Sequence, residues 1–167
     1  LGRSWHAAPG ENLTFSIILR PSIPPDRMGL LSLLVAVGIA RGIEEALGLR
    51  VFCKWPSDLL CGGKKLAGIL LEGSFAHDHV DHVVVGIGLN VALPESVRAR
   101  IVADGGLSPA SLAEGTALAP SRNALAARLT DELVRMATTF EAQGFAAFHA
   151  EWARADALAG RPVRVLG

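Results

Sequence analysis

The sequence predicts an α+β domain in which helices pack on a mixed β-sheet. Apolar and polar residues alternate over 13–20, as in a half-buried strand, and three further strand-like segments lie at 50–55, 65–72 and 82–91. Helical periodicity is clearest over 27–47 and from Ser121 to Gly144. The chain has 167 residues, about one domain, and 50% of them are hydrophobic. A sizeable core is therefore expected, and disorder is excluded as the main state.

The first strand and the first helix have clear boundaries. Leu13, Phe15, Ile17 and Leu19 alternate with polar residues, which predicts a half-buried strand. The proline-rich stretch at 21–26 ends this strand, and its Asp26 is expected to cap the helix that follows. Gly48 is expected to end that helix. Two glycines one turn apart, Gly38 and Gly42, predict close packing against a neighbouring element.

The rest of the chain supplies the other elements. The pair at 62–63 predicts a turn between strands. Ser121 is a plausible N-cap for a helix whose apolar stripe runs from Leu125 to Phe140. Shorter elements are expected in three places: a helix around 95–103, a helix across 145–152 and a strand within 160–167.

Composition excludes several functional classes. Sixteen basic and sixteen acidic residues balance, so the overall charge shows no nucleic-acid footprint and leaves only a local basic site open. Two cysteines, Cys53 and Cys61, indicate neither a disulfide framework nor a zinc site and are expected to be ordinary thiols. The longest apolar run, 29–40, is shorter than the ~20 residues that span a bilayer. With no signal peptide, a cytoplasmic protein is expected.

The histidines do not predict a metal site. Three of the five histidines, His77, His79 and His82, lie in or next to HDHVD, residues 77–81, together with two aspartates. This composition is typical of a solvated turn, and we therefore expect a turn between two strands here.

The segment VVVGIGLNV, residues 83–91, predicts a strand with one bare face. Gly86, Gly88 and Asn90 alternate with apolar residues, so they should share a face. Glycines on one strand face indicate close approach of another group to the backbone. That group could be a flat ligand with Asn90 at its edge, or a helix or aromatic side chain of the protein itself.

Lys54 is a charged residue in the apolar segment VFCKWP, just before a proline that ends the strand. A partly buried ammonium needs an anion. Its partner could be a carboxylate, Asp58 or Glu72, or an anionic ligand group such as a carboxylate or phosphate. These residues alone slightly favour a protein carboxylate.

The N-terminal stretch GRSWHAAPGENL combines Arg3, Trp5 and His6 with glycine and proline. A guanidinium can bind phosphate through two hydrogen bonds, and an indole can stack on a base. A frayed terminus would have the same composition, so both interpretations stay open.

Four stretches together resemble the biotin protein ligases. LGRSW is similar to the end of that family's GRGRxGRxW loop, KWPSD to its KWPND, KKLAGILLE to its KLAGIL strand and GIGLNV to its GxGxN strand. Order and spacing agree along essentially the whole chain. The resemblance implies the class II aminoacyl-tRNA synthetase-like fold of biotin–lipoate ligase catalytic domains.

The resemblance also implies a division of the chain. The family's catalytic domain starts earlier, with a strand that helps to hold biotin. Residues 1–158 are therefore expected to be a catalytic domain that lacks its N-terminal part. GRPVRV is similar to the junction before the family's small SH3-like domain, so 159–167 are expected to begin that domain.

The implied activity is ATP-dependent formation of biotinoyl-5′-AMP, with Mg²⁺, and transfer of biotin to a lysine of a biotin carboxyl carrier protein. The resemblance implies a catalytic Lys54 between the biotin carboxylate and the α-phosphate. It assigns the remaining roles as follows: Arg3 to phosphate and biotin, Trp5 to adenine, Asn90 to the nucleotide, Gly86 and Gly88 to the floor under biotin, Lys65 to ATP, Gly68 to biotin, and Asp58 to positioning Lys54 or Mg²⁺.

The sequence also permits other functions. A lipoate or octanoate ligase or transferase shares the reaction logic, and a non-catalytic module could bind biotin or nucleotide without turnover. In a purely structural domain, Lys54 would pair only with Asp58 or Glu72. Neither nucleic acid nor membrane is expected as a partner, and the oligomeric state, including a homodimer, stays open.

Overall fold

A five-stranded antiparallel sheet forms the centre of the protein in the computed structural model, which describes residues 6–116 and 121–163. Its strand order is β1-β5-β4-β3-β2. The strands are β1 Leu13–Leu19, β2 Phe52–Lys54, β3 Asp58–Cys61, β4 Lys64–Ala76 and β5 His79–Leu89. All four pairings between neighbouring strands are antiparallel, and two isolated parallel bridges lie outside them.

Helices pack against the sheet, which confirms the predicted α+β class. They are α1 Met28–Leu47, α2 Glu95–Ala103, α3 Leu112–Gly115, α4 Arg122–Gln143 and α5 His149–Ala155. Two 3-10 turns, Pro25–Arg27 and Phe145–Phe148, precede α1 and α5. The buried core lies between these helices and one face of the sheet, because the fully buried residues of β5 alternate: Val83, Val85, Ile87 and Leu89.

The helix ends follow the sequence signals with one exception. Gly48 ends α1 in the left-handed conformation with φ 65°, and the Ser121 side chain accepts a hydrogen bond from the Ala124 amide at 3.4 Å. Asp26 does not cap α1, so that expectation is wrong. It lies inside a 3-10 turn, and Arg27 occupies the N-cap position without a side-chain cap.

Close packing at Gly38 and Gly42 is confirmed. A Cβ atom at Gly38 would lie 2.5 Å from Met136 Sδ, and one at Gly42 would lie 2.8 Å from Leu129 Cδ2. The two glycines therefore let α4 approach α1 more closely than side chains would permit.

The strands differ from expectation around the stretch 50–61. The segment expected as one strand over 50–55 is paired only at Phe52–Lys54, and a separate short strand, β3, follows the Trp55–Pro56 turn. Gly62 and Gly63 form the expected turn between β3 and β4. β5 begins at His79, so the turn expected over 77–81 is confined to 77–78.

The histidine-rich segment around 77–82 lies at the surface, as expected. His79 and His82 hydrogen-bond the neighbouring Asp78 and Asp81 at the surface, as a solvated segment would. Within the described ranges, no group of three or more His, Cys, Asp or Glu residues could hold a metal ion.

The strand expected within 160–167 is not seen in its described part. Residues 160–163 form no strand, and 164–167 lie outside the described residues. None of the described helices is both long and apolar enough to cross a membrane.

Both cysteines are free thiols in different environments. Cys53 is 1% exposed in β2, whereas Cys61 is partly exposed at the end of β3. They are not cross-strand partners, since Cys53 pairs with Leu59 and Cys61 with Lys64. Burial raises the pKa of Cys53 to about 12, and the negative charges of Asp156 and Glu151 add to the effect.

Cys53 is expected to react with iodoacetamide much more slowly than Cys61 at about pH 8, because Cys53 is buried with a pKa of about 12 and the thiolate is the reactive form. Burial also raises the pKa of Cys61, but that thiol is partly exposed. Both should react after denaturation. Mass spectrometry of the labelled peptides measures this, and equal labelling of the two thiols in the native protein would contradict the expectation.

The raised pKa of Cys53 also predicts how stability depends on pH. Above about pH 9 the unfolded thiol ionises while native Cys53, with its pKa of about 12, stays protonated. The free energy of unfolding should therefore fall as the pH rises from about 9 towards 12, and it should fall less in Cys53→Ala when the two proteins are measured side by side.

Candidate functional site

One row of paired residues crosses all five strands on the face away from the helices. Lys54 of β2 pairs with Asp58 of β3, and Asp58 pairs with Gly68 of β4. Gly68 then pairs with Gly88 of β5, and Gly88 with Thr14 of β1. Residues paired in register project from the same face of a sheet. The topology therefore brings four of the predicted site residues into a single line.

The charged end of this row contains two ammonium groups and one carboxylate. Lys65 Nζ lies 2.6 Å from Asp58 Oδ1, and Lys54 Nζ lies 3.9 Å from Asp58 Oδ2. All three side chains are partly exposed, at 26%, 34% and 19% for Lys65, Lys54 and Asp58. Two positive charges and one negative charge leave a net charge of +1, so the cluster can still attract an anion.

Lys54 thus has the carboxylate partner that its sequence position favoured, and that partner is Asp58. Glu72 is exposed further along β4, opposite Val84, and no ion pair joins it to Lys54 among the described residues. The ion pair with Asp58 does not exclude an anionic ligand, because the closer of the two lysines to Asp58 is Lys65.

A β-bulge places Lys65 on this face. Ala67 pairs with Leu59 and Lys65 with Leu60, so Leu66 is an extra residue in β4. Without it, strict alternation would direct Lys65 to the face opposite Gly68. The sequence contains no evident signal for this bulge, and the Lys65–Asp58 ion pair was therefore not predicted.

Next to the row, two residues before Gly88 on β5, Gly86 is a bare position on the same sheet face. Gly86 is flanked across the sheet by Leu70 and Ser16. A Cβ atom at Gly86 would meet nothing nearer than Leu70 at 3.7 Å, an ordinary van der Waals distance. No helix or aromatic ring of the described chain packs over it at that range. Internal packing does not require glycine at 86, which favours the interpretation that a ligand approaches this backbone.

Asn90 closes the end of β5 and is more constrained than the sequence indicated. It is 2% exposed, and its Nδ2 donates to the Ala110 carbonyl oxygen at 3.0 Å. Its buried Oδ1 has no hydrogen-bond partner within the described residues. Since buried polar atoms are normally paired, this oxygen is the acceptor that Asn90 could offer to a ligand.

Asn12, which no sequence pattern indicated as a site residue, lies beside Asn90 just before β1. Its Oδ1 accepts the Val91 amide at 3.1 Å, and its buried Nδ2 is unpaired within the described part of the chain. The antiparallel register, in which Leu13 faces Leu89, places the two asparagines at the same end of the sheet. The position of Asn12 beside Asn90 follows only from the strand register and not from any pattern in the sequence.

A loop with little sequence signal forms one wall of the site. We call residues 104–112 the 104–112 segment. The Lys65 amide donates to Ser108 and the Ala110 amide to Lys65, at 2.9 and 2.8 Å. The Leu112 amide donates to the Asn90 carbonyl at 2.9 Å. These backbone bonds fix the segment to both β4 and β5.

Among the described residues of the N-terminal stretch, His6 contacts this wall. His6 Nε2 lies 2.7 Å from Asp104 Oδ2. Arg3 and Trp5, to which the resemblance assigns phosphate and adenine, lie outside the described residues.

A cavity of about 300 Å³ lies away from this row, between α1, the start of β2 and α5. Its charged lining includes Arg41, Arg50 and Glu151. Arg41 is bonded to Glu151, and the Arg50 guanidinium lies 5.3 Å from the Phe52 ring centroid. Arg41, Arg50 and Glu151 already have protein partners in the described part of the chain, so the sheet face is the candidate functional site.

Comparison with known proteins agrees with this geometry. Residues 1–90 match the model of the biotin/lipoate A/B protein ligase family. The chain is 31% identical over 165 residues to the bifunctional ligase/repressor BirA of Escherichia coli, covering 99% of the chain and 50% of the relative. It is 32% identical over 165 residues to the biotin–[acetyl-CoA-carboxylase] ligase of Paracoccus denitrificans, covering 97% of the chain and 67% of the relative.

A solved structure shows the same fold. The biotin protein ligase from Aquifex aeolicus, in complex with biotin and ATP, superimposes with a TM-score of 0.79 at 25% identity. The match covers 99% of this chain and 66% of that one. The present chain spans about half the length of the Escherichia coli relative. The sequence motifs, the sheet and the family match agree, and the chain belongs to the biotin/lipoate A/B protein ligase family.

Proposed function

We propose that this chain provides the ligand-binding sheet of an ATP-dependent biotin protein ligase. The enzyme would join biotin to AMP and then pass the biotinoyl group to a lysine of a biotin carboxyl carrier protein. The sheet face that carries the row from Lys54 to Thr14 supports the proposal, because it combines a net positive end with the bare backbone at Gly86.

The charged end suits the first step. An oxygen of the biotin carboxylate attacks the α-phosphorus of ATP, a new O–P bond forms, and the bond to the β-phosphate oxygen breaks to release pyrophosphate. Two anions must approach each other, so positive charge nearby lowers the barrier. Lys54 would lie between the carboxylate and the α-phosphate. Asp58 would position Lys54 and Lys65, which it contacts at 3.9 and 2.6 Å.

In the second step, the amine of the acceptor lysine attacks the biotinoyl carbonyl carbon. The amide bond forms, the C–O bond to AMP breaks, and the amine loses a proton. Positioning of the mixed anhydride on the sheet is the contribution that this chain would make.

The floor and the end of β5 suit the two ligands. Gly86, where a Cβ atom would meet nothing nearer than 3.7 Å, together with Gly88 and Gly68 would let biotin lie against the backbone. The unpaired Oδ1 of Asn90 would accept a hydrogen bond from the nucleotide. Arg3 and Trp5 complete the proposal as the phosphate and adenine contacts that the resemblance implies.

The described residues do not form a Mg²⁺ site of their own. Both oxygens of Asp58 face ammonium groups, which compete with a divalent cation for the same carboxylate. Mg²⁺ commonly binds through substrate phosphates with one or two carboxylates. Mg²⁺ would thus accompany ATP, and Asp58 serves as a positioning residue.

The remaining assignments follow from the same proposal. Residues 1–158 would belong to the catalytic domain, and 159–167 would begin a small C-terminal domain. The reaction would take place in the cytoplasm, where ATP is available, with the carrier protein as the macromolecular partner.

Isothermal titration of the complete polypeptide that carries these 167 residues with biotin, with and without ATP, tests this function. Biotin should bind, and ATP should bind more tightly when biotin is present. Asn90→Ala should weaken ATP binding more than biotin binding, because it removes the acceptor at the end of β5. Equal weakening of both ligands would contradict the role of Asn90. Binding of lipoate in competition with biotin, or no binding of biotin, would overturn the proposed substrate.

A further inference from the structure

The cavity between α1, the start of β2 and α5 has the size of a small-molecule site. Its volume is about 300 Å³, and pockets that bind small molecules typically measure about 300–1,000 Å³. None of its lining residues belongs to the row from Lys54 to Thr14, so any ligand held here would be bound separately from the sheet face.

Part of the cavity wall is apolar and buried. Val37 and Ala40 of α1 and Val51, just before β2, line it and are only 1%, 6% and 5% exposed. Ala155 adds a methyl group from α5. An apolar group of a ligand would lose contact with water against these side chains, which favours its binding.

Two of the charged lining residues are already paired. Arg41 Nε donates to Glu151 Oε1 at 2.8 Å, and Arg41 Nη1 donates to Glu132 Oε1 at 3.0 Å. These carboxylates offset the charge of Arg41, so this guanidinium contributes little attraction for a further anion.

Three other charged lining residues have no ion-pair partner within the described ranges: Arg50, Arg154 and Glu44. All three are exposed, and together they carry a net charge of +1. The Arg50 guanidinium lies 5.3 Å from the Phe52 ring centroid. Stacking on a ring restricts a guanidinium and leaves its N–H groups free to donate. The cavity therefore combines an apolar wall with two guanidinium groups that can bind an anion.

We propose that this cavity binds a small organic carboxylate. The carboxylate group accepts charge-assisted hydrogen bonds from Arg50 and Arg154, because a guanidinium presents paired N–H donors that match its two oxygens. The apolar part of the ligand contacts Val37, Ala40 and Val51. This inference goes beyond the proposed function and does not depend on it.

A cavity that holds only water would behave differently. Polar cavities of this size contain water, which neither selects for a carboxylate nor depends strongly on one exposed arginine. A neutral ligand of the same shape as the carboxylate therefore separates the two cases.

The experiment titrates benzoate into the ¹⁵N-labelled complete polypeptide that carries these 167 residues and follows the backbone amides by NMR. Benzoate should shift the signals of Val37, Val51 and Ala155 with a Kd on the order of 1 mM. The signals of Gly68 and Gly88 in the row should stay in place. Benzamide, which has the same ring and no charge, should bind at least about tenfold more weakly.

Arg50→Met and Arg154→Met should each weaken benzoate binding by about tenfold, the lower end of the range for a hydrogen bond between charged groups. Arg100→Met is the matched control. Arg100 is also exposed, lies on α2 outside the cavity and has no side-chain partner in the described part of the chain. Its replacement removes the same charge and should leave the Kd for benzoate within about twofold.

Four results would overturn the inference. They are shifts concentrated at Gly68 and Gly88, equal affinity for benzoate and benzamide, unchanged affinity in both cavity variants, or no saturable shift well above the expected Kd. None of these measurements involves pyrophosphate release, so their failure would leave the proposed function standing.

Discussion

Replacement of Lys54 by alanine is expected to reduce biotin-dependent pyrophosphate release by roughly 10²–10³-fold, the loss typical for one transition-state donor. Lys54 and Lys65 share one carboxylate, and the resulting net charge of +1 would offset the repulsion between biotin carboxylate and α-phosphate. Removal of Lys54 leaves Asp58 and Lys65 as a neutral pair, so the local attraction for both anions is lost. The measurement is steady-state pyrophosphate release at saturating biotin and ATP.

Lys64→Ala is the matched control for this prediction. Lys64 is exposed at the start of β4 and pairs with Cys61, outside the row. Its replacement removes the same charge at a nearby position and should leave turnover within about twofold, because exposed charges interact weakly. Near-normal turnover in Lys54→Ala, or an equal loss in both variants, would rule out the proposed role of Lys54.

Replacement of Arg41 by methionine is expected to destabilise the fold by about 3 kcal/mol, at the lower end of the range for breaking a buried ion pair. Arg41 Nη1 donates to Glu132 Oε1 at 3.0 Å, and its Nε donates to Glu151 Oε1 at 2.8 Å. The hydrogen bond with Glu151 is the largest influence that raises the pKa of Arg41, against the opposing effect of burial.

The cost arises mainly at Glu132. This carboxylate is 3% exposed on α4 and would lose its interior partner. Arg135 also pairs with Glu132 but is 58% exposed, so it compensates only in part. Urea unfolding followed by circular dichroism measures the change in the free energy of unfolding.

Arg128→Met provides the comparison on the same pair of helices. Arg128 pairs with Glu45 across α4 and α1, and both side chains are about half exposed, at 48% and 44%. Its loss should cost less than about 1 kcal/mol. If the two variants were equally destabilised, burial of Glu132 would not be the deciding factor.

Much of the fold is readable from local pattern. The alternation of Leu13 to Leu19 and the apolar stripe of α4 each depend on neighbours within a few residues, and both elements formed as expected. The stop at Gly48 is similarly local. The cap expected from Asp26 failed because a proline-led 3-10 turn precedes α1, and that turn moves the start of the helix beyond it.

The candidate site also combines features that are local in sequence with features that depend on strand pairing. The motifs around Lys54, Gly68 and Gly86 are contiguous in sequence, so they indicated the family and several candidate site residues. Their arrangement as one row depends on four strand pairings, and a shift of one residue in any of them would change the exposed face. The bulge at Leu66, which directs Lys65 to Asp58, is a property of two strands together.

By itself, the sequence determined the α+β class, the principal strands and helices and the resemblance to biotin protein ligases, because these depend on short-range periodicity and contiguous motifs. Only the tertiary structure decided that Lys54 pairs with Asp58 rather than Glu72, that Asn90 bonds Ala110, and that His6 meets Asp104. Each of those contacts depends on strand register, on a bulge or on a loop path. Such features minimise the free energy of the whole chain, and no local segment specifies them.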